Sequence, residues 1–277
     1  MPGQVNPQTP TPADPDSLAA PRRQSNWLGL WTLYCREVRR FTKVYNQTVL
    51  APVVTTLLFL AIFALALGHT GDAIDGEPFL EFLAPGLIVM AIAQNAFANT
   101  SSSLIIAKVQ GNIVDTLMPP LTAGELTLAM AMGGLTRGLA VGVAVAIAMM
   151  VFVPVRVHNP GLMLYFAASA SLLLSLLGIA GGIWSEKFDQ IAAVTNFIVT
   201  PLSFLSGTFY SVDRLPPFFQ VLAHVNPFFY MIDGFRYGCL GRADMNPWLG
   251  MVVLAITNAA LWWLCHRMFA TGYKLKS

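Results

Sequence analysis

Six apolar segments, each long enough to cross a bilayer as a helix, dominate the chain. They cover residues 49–68, 80–106, 126–153, 161–183, 191–210 and 247–269. A spanning helix needs about 20 predominantly apolar residues. Only 11% of the 277 residues are charged, whereas a soluble domain carries about 25%. The sequence therefore predicts an all-α polytopic membrane protein with six transmembrane helices.

The distribution of lysine and arginine predicts the orientation of these spans. Four of the 16 basic residues fall on one side of the predicted membrane, namely Arg156, Arg214, Arg236 and Arg242. The other twelve belong to the opposite side: six lie in the N-terminal segment, three lie in or near the loops of that side, and three lie at the end of the last span or after it. Because basic residues concentrate on cytoplasmic loops, both termini are expected in the cytoplasm. The net charge is only +2, so nucleic acid is not an expected partner.

The N-terminal region divides into two parts ahead of the six-span domain, which we place at 48–277. Residues 1–25 are rich in Pro, Gln, Ser and Thr and are predicted to form a disordered cytoplasmic tail. Residues 26–47 are predicted to form an amphipathic helix at the inner membrane surface, with a basic face toward anionic lipid or a protein. Its apolar stripe consists of Trp27, Leu30, Trp31, Tyr34, Val38, Phe41 and Tyr45. This helix is either a surface anchor or a lever that touches a cytoplasmic partner.

The stretch PLSFLSGTFYSVDRLPP, residues 201–217, leaves span five and enters an apolar segment too broken to cross the membrane. Asn226-Pro227 and Asp233-Gly234 interrupt that segment. Irregular backbone at membrane depth survives only where protein or a water cavity covers it. We therefore expect short external re-entrant helices between spans five and six. The residues that mark this external cap are Pro216, Pro217, Asn226, Pro227, Asp233 and Arg236.

Small residues recur along spans three and four. Gly134, Gly138 and Gly142 follow one another at intervals of four, and Gly178 and Gly182 repeat the spacing. Such ridges let helices approach closely. They serve either packing within one subunit or contact between subunits.

Polar residues line one face of span two and one face of span five. Asn95 and Asn99 lie on the first face, and Asn196 and Thr200 lie on the second. Polar groups in a bilayer turn toward other helices or toward a cavity. These four residues are candidates for interhelical hydrogen bonds or for lining a substrate path.

The loop between spans two and three combines a helix stop with a helix start. Pro119-Pro120 stops a helix, and the Thr122 to Glu125 spacing fits a capping box. A short helix around residues 112–118 is expected between the spans. It is either a plain connector or a docking element for a partner.

The sequence lacks the motifs of an energy-converting or metal-dependent enzyme. It contains no P-loop for nucleotide phosphates and no HExxH, and Cys35, Cys239 and Cys265 form no CxxC. The span cores hold no Asp or Glu, which argues against a proton-driven carrier. Arg137 is the one charge in the interior of a span, away from the span ends, and is expected to snorkel or to pair with Glu125 or Glu186. The chain is therefore predicted to have no enzymatic activity, no cofactor and no metal of its own.

Three motifs together resemble the type-2 ABC transporter permeases, which include nodulation-factor, polysaccharide and drug export permeases and YadH-like inner-membrane permeases. The first is residues 201–238, from PLSFLSG to GFRYG. The second is DTLMPPLTAGELTLA, residues 115–129, and the third combines LEFLAPGLIVM with FANTSSSLIIAKVQG in span two. The similarity covers the chain from Trp27 to its C-terminus.

The resemblance implies the permease subunit of an ATP-driven exporter in a bacterial inner membrane. It implies a homodimer served by two ATPase subunits, which bind the ATP and Mg, and an amphipathic, lipid-linked or polysaccharide-type substrate. The amphipathic helix becomes a connecting helix, and the short loop helix becomes a coupling helix that docks on the ATPase. The coupling residues would be Ile113, Asp115, Leu117, Arg36 and Arg40. The alternatives are an ion-gradient-driven carrier, an intramembrane enzyme, and a non-exporting ABC resistance or sensory module.

Overall fold

A computed structural model describes residues 26–67, 78–154 and 156–275. The predicted disordered tail, residues 1–25, lies outside the described residues. Within these ranges the chain is helical and contains no β-strand.

Six helices are long and apolar enough to cross a membrane. Five of them are α2 (Ala51–Leu67), α3 (Phe79–Val109), α5 (Ala123–Met149), α6 (Pro160–Trp184) and α11 (Pro247–Thr271). A π-helical turn, Asn46–Leu50, precedes α2. The fifth span in chain order consists of α7 (Phe188–Val194) and α8 (Thr200–Leu205), which are joined by a π-helical turn, Thr195–Val199. The number and order of the predicted spans are confirmed.

Span five ends earlier than its apolar composition predicts. The prediction carried it to residue 210, whereas α8 ends at Leu205. Gly207 adopts a φ of +75°, a left-handed conformation that glycine reaches at little cost. The chain therefore leaves the helix at this glycine, and the apolar residues after it belong to the segment between spans five and six.

The span α3 forms the centre of the bundle. In its most apolar stretch of 18 residues 83% of the residues are buried, and it packs against α5, α6 and the later helix α10 (Pro227–Leu240). The glycine ridge of α5 makes this packing possible. A Cβ at Gly134 would lie 2.2 Å from Ser175 Oγ of α6, and one at Gly142 would lie 2.4 Å from Ile92 Cγ1 of α3. The ridge thus serves close packing within the chain.

Three spans lie at the periphery. Of the 18 most apolar consecutive residues in each span, only 11% are buried in the α2 span, 11% in the α7–α8 span and 22% in α11. Large apolar side chains cover their outer faces, as Leu58, Phe197 and Ile256 illustrate. Such faces are stable in lipid or against another apolar surface.

The amphipathic helix α1 (Trp27–Thr42) begins at Asn26, whose side chain accepts a hydrogen bond from Gly29 N. Its buried side chains are Leu33, Glu37 and Phe41, which recur every four residues. The predicted apolar stripe is therefore only partly buried, because Trp27 and Trp31 remain 69% and 60% exposed. A glutamate occupies the middle of the buried face.

The predicted short helix and capping box after span two are both present. Helix α4 (Ile113–Leu117) follows α3 after a short turn at Gly111, which has a φ of +74°. Glu125 N donates to Thr122 Oγ1 at 3.2 Å, and Thr122 N donates to Glu125 Oε2 at 2.7 Å. Glu125 Oε1 also accepts from Asn26 N, at 2.8 Å. One carboxylate thus fixes the beginnings of both α1 and α5.

Two short helices separate spans five and six, as the broken apolar segment predicts. A 3₁₀ turn Val212–Arg214 is followed by α9 (Pro217–Val225) and α10 (Pro227–Leu240). Both α-helices carry proline at the first position, where no intrahelical N–H bond is lost. Helix α10 packs on α3, α6 and α11, so it folds back onto the spans.

Candidate coupling site and external cap

The helices α4 and α10 lie near opposite ends of α3. Helix α4 follows its C-terminus, whereas Arg236 of α10 stacks on Phe82 near its N-terminus. The 31 residues of α3 rise about 46 Å at 1.5 Å per residue. The two sequence-predicted sites, coupling loop and cap, are therefore separated by the thickness of the bundle.

Helix α4 has an inner face and an outer face. On the inner face Ile113 and Thr116 are 9% and 4% exposed, and Ile113 belongs to an apolar cluster with Leu33 of α1. On the outer face Val114 and Met118 are 54% and 75% exposed. The geometry thus offers an apolar outer surface for a docking partner.

The predicted coupling residues divide between these faces. Asp115 is exposed on the outer face, whereas Ile113 is buried and Leu117 is half-buried against the same apolar cluster. A five-residue helix has too few turns for its buried face to be read from periodicity. The predicted set therefore contains Ile113 and Leu117, which seat the helix, and omits Val114 and Met118.

Arg36 connects the connecting helix to α4. Its Nη2 donates to Thr116 Oγ1 at 3.3 Å and to Glu37 Oε1 at 3.4 Å. Arg36 is exposed, so the same guanidinium also borders the outer surface. Arg36 therefore lies beside α4, and its role in coupling stays a prediction.

Glu37 is the centre of a polar cluster that the sequence did not reveal. It is 1% exposed. Its Oε1 accepts from Ser103 Oγ of α3 at 2.9 Å, and its Oε2 lies 3.1 Å from Arg40 Nη2. Gly133 of α5 leaves room for it, since a Cβ there would lie 2.7 Å from Glu37 Cβ. A buried carboxylate needs such partners, because leaving water is costly for an unpaired charge.

Arg40 reaches toward α3, and 31% of its side chain remains exposed. Besides Glu37, it donates to Asn99 Oδ1 at 3.0 Å and to Ser102 Oγ at 3.1 Å. Asn99 itself is fully buried. The hydrogen bond between Arg40 and Asn99 therefore joins α1 to α3.

Arg137 makes a contact that the sequence reading missed. Its Nη2 donates to Asn95 Oδ1 of α3 at 3.2 Å. The two carboxylates proposed as its partners are engaged elsewhere: Glu125 caps α5, and Glu186 pairs with Lys274 Nζ at 3.0 Å. The expectation of a pair with either glutamate is therefore wrong, and an amide on the neighbouring span takes that place.

The faces of spans two and five meet at a cleft of about 410 Å³. Asn95 and Thr200 both line it, together with Gln94, Ser102 and Thr195. Asn196 is exposed on the outer side of span five. Of the four path candidates, the structure brings Asn95 and Thr200 together at one cleft.

The external cap is fastened to the spans by its polar residues. Asn226 donates to Ser206 Oγ at 2.8 Å, while its Oδ1 accepts from Phe228 N at the start of α10. Arg236 donates to Gly207 O at 2.7 Å, and its Cζ lies 3.8 Å from the centre of the Phe82 ring. Pro216 and Pro217 stand at the start of α9, as Pro227 does for α10.

Asp233 fixes the chain that leads out of the cap. It is 3% exposed, and its carboxylate accepts from Asp244 N at 2.8 Å and Met245 N at 3.1 Å. Burial raises the pKa of Asp233 to about 6, against the lowering effect of these hydrogen bonds and of Arg236. The cap thus contains a carboxyl group whose pKa lies above that of an ordinary aspartate.

Among the described residues no group of three or more His, Cys, Asp or Glu side chains is placed to hold a metal ion. The three cysteines are free thiols. These features define a multi-pass helical membrane protein with an exposed apolar face on α4 near one end of α3 and a pair of short helices near the other.

Comparison with known proteins agrees with this architecture. A family model described as ABC-2 type transporter matches residues 29–240. The inner membrane transport permease YadH of Escherichia coli K12 is 37% identical over 251 residues, which cover 91% of this chain and 98% of that protein. Nodulation protein J of Rhizobium leguminosarum bv. viciae is 27% identical over 237 residues, or 83% and 88% of the two chains.

The chain belongs to the ABC-2 type transporter family, and the resemblance seen in the sequence is confirmed. It is the transmembrane subunit of an ABC transporter. Permeases of this family are generally not catalytic themselves.

Proposed function

We propose that this chain is the permease subunit of an ATP-driven exporter in the bacterial inner membrane, with both termini in the cytoplasm. Two copies would form the pathway, and two separate ATPase subunits would bind ATP and Mg and hydrolyse the ATP. The chain would then need no cofactor and no catalytic residue of its own. The family assignment and the relative named as an inner membrane transport permease support this proposal.

The observation that carries the proposal is the outer face of α4. Val114, Asp115 and Met118 are exposed together on a short helix, while Ile113 and Thr116 anchor that helix to the spans. An exposed apolar pair beside a carboxylate suits a groove on a soluble partner, because water alone does not reward the exposure of such side chains. We assign this face to the ATPase.

The buried contacts around α1 supply a route for the motion. A displacement of α4 would reach α1 through Thr116 and Arg36, and α3 through Glu37 and its bond to Ser103. Arg40 adds a second contact between α1 and α3. ATP-driven closure of the two ATPase subunits would thereby move span two.

The proposed substrate is amphipathic, lipid-linked or of polysaccharide type. The cleft between spans two and five supports this class, since amide and hydroxyl groups line it beside Phe97 and Ile191. Such a lining offers hydrogen bonds to sugar hydroxyls and an apolar wall to an acyl chain.

Reconstitution with the cognate ATPase tests the function. The chain and the P-loop protein encoded beside it are expected to co-purify and to move substrate only when ATP is present. The variant Asp115→Arg is expected to lower coupled transport at least about tenfold, because it reverses a charge at the contact. The matched control is Asp189→Arg, which changes an exposed carboxylate at the start of α7.

Two of the alternatives, the ion-gradient-driven carrier and the non-exporting module, have their own outcomes in this experiment. Uptake driven by an ion gradient without ATP would identify a carrier. A complex that hydrolyses ATP but moves no amphipathic compound would favour a resistance or sensory module. Full transport by Asp115→Arg would remove α4 as the contact.

A further inference from the structure

A cleft of about 970 Å³ opens between α1, α3 and α4 on the side of α1. Four cationic side chains line it, namely Arg36, Arg39, Arg40 and Lys43. Two acidic side chains, Glu37 and Asp115, face the same space. The cleft therefore has an excess of positive charge.

Carboxylate groups neutralise only some of the four cationic side chains. Glu37 lies within 3.4 Å of Arg36 and 3.1 Å of Arg40, so its charge is shared by these two residues. In the described part of the chain neither Arg39 nor Lys43 has a salt bridge. These two exposed cations stand one turn apart on α1 and leave a site for an anion at the mouth of the cleft.

Apolar surface continues from this cationic mouth. Trp31, Val44 and Ile106 also line the cleft. On the adjoining surface Trp27, Leu28 and Tyr45 are 69%, 77% and 64% exposed. Aromatic side chains beside basic ones are typical of a helix that lies at the level of lipid headgroups.

We propose that this cleft binds the headgroup of one anionic phospholipid from the leaflet in which α1 lies. Arg39 and Lys43 contact the phosphodiester, and the acyl chains lie along Trp31 and Val44. A free phosphate ion would use the cations but not the apolar wall. The proposal extends beyond the function given above and does not depend on ATP-driven export.

Cys35 supplies a local probe for this site. It lines the cleft and is half-buried, whereas the other two cysteines of the chain, Cys239 and Cys265, are buried. A lipid in the cleft is expected to slow alkylation of Cys35. The rate can be measured by mass spectrometry of the purified, delipidated permease, without the ATPase.

The experiment titrates short-chain phosphatidylglycerol, short-chain phosphatidylcholine and glycerol phosphate separately, and counts bound lipid by native mass spectrometry. Only phosphatidylglycerol is expected to protect Cys35. The double variant Arg39→Gln/Lys43→Gln is expected to weaken its binding at least about tenfold, since each basic residue contributes measurably to attraction by anionic lipid. The charge-preserving variant Arg39→Lys/Lys43→Arg should retain binding.

The matched control is Lys187→Gln/Arg267→Gln, which removes two exposed cations outside the cleft. Its affinity is expected to stay within about twofold of the unsubstituted chain, because the local charge at the cleft is unchanged. Equal protection by glycerol phosphate would overturn the assignment to a lipid in favour of a soluble phosphate. Equal binding of phosphatidylcholine would also overturn it, as would a folded double variant with unchanged affinity. If that variant keeps its lipid affinity and, in a separate co-purification, no longer retains the ATPase, the surface is a protein contact.

Discussion

The Arg36 guanidinium donates a hydrogen bond to the Thr116 hydroxyl, with Nη2 and Oγ1 3.3 Å apart, and thereby joins α1 directly to α4. The Arg36 side chain is 47% exposed, so water weakens the bond. The contact therefore sets the orientation of α4 on α1, while the buried Ile113 holds α4 to the bundle.

A double-mutant cycle of Arg36→Met and Thr116→Val measures this contact. The expected coupling energy is about 0.5 kcal/mol, at the lower end for a hydrogen bond because Arg36 is partly solvated. Thermal unfolding of the four proteins in one detergent supplies the free energies. Strictly additive effects would mean that the two side chains do not interact in solution.

The two faces of α4 are expected to respond differently to truncation. Ile113→Ala removes buried methyl groups and should lower the free energy of unfolding by about 2 kcal/mol. Val114→Ala changes an exposed side chain and should stay within about 0.5 kcal/mol, yet it should weaken ATPase binding. Unfolding and co-purification are measured on both variants. If Val114→Ala lowered the free energy of unfolding and Ile113→Ala weakened only ATPase binding, the assignment of the buried face and the docking face would be wrong.

Gly133 and Gly124 form a matched pair within α5. A Cβ at Gly133 would lie 2.7 Å from Glu37 Cβ, whereas at Gly124 the nearest atom, His266 Cδ2, lies 3.8 Å away. Gly133→Ala is therefore expected to lower the free energy of unfolding by about 1–3 kcal/mol through overpacking. Gly124→Ala should be neutral or slightly stabilising. Similar thermal stabilities of the two variants would mean that Glu37 does not pack against Gly133, and hence that α1 does not lie against α5 at this point.

The external cap is expected to gain stability as the pH falls. The pKa of Asp233 is raised to about 6 from its ordinary value of 3.8. A raised carboxyl pKa means that the folded state binds the proton more tightly, so its stabilisation is fully present below about 3.8 and is lost as the pH rises through about 6. Lowering the pH from 7.5 to 5.5 should therefore add about 1 kcal/mol.

Asp233→Asn is expected to remove this pH dependence. Glu186 provides the contrast, because its hydrogen bond to Lys274 keeps its pKa below the usual range and it stays ionised throughout this pH window. Thermal unfolding at several pH values checks both statements. A wild-type protein that loses stability between pH 7.5 and 5.5, by an amount that Asp233→Asn abolishes, would contradict the raised pKa.

The sequence predicted the spans and the cap because both depend on local composition. Long apolar segments identify the spans without reference to neighbours, and Asn226-Pro227 interrupts the helix wherever it is placed. The capping box was equally readable, since Thr122 and Glu125 are three residues apart.

The polar contacts between helices were not readable, because they join distant parts of the chain. Glu37 needs Ser103 of α3 and the space above Gly133 of α5. One signal was available: Leu33, Glu37 and Phe41 share a spacing of four, which places a glutamate on an apolar face. Arg137 was assigned to carboxylates by charge alone, whereas packing brings it to the Asn95 amide.

The burial of α3 determines which parts of the chain can move independently. Glycines of α5 and α6 approach it so closely that a single added carbon would collide, as at Gly178, where a Cβ would lie 2.6 Å from Phe97 O. These close contacts make α3, α5 and α6 the most tightly packed part of the bundle. The span made of α7 and α8 has few such contacts and contains the π-helical turn Thr195–Val199. A displacement of that span would therefore break fewer helix contacts than a displacement of α3, α5 or α6.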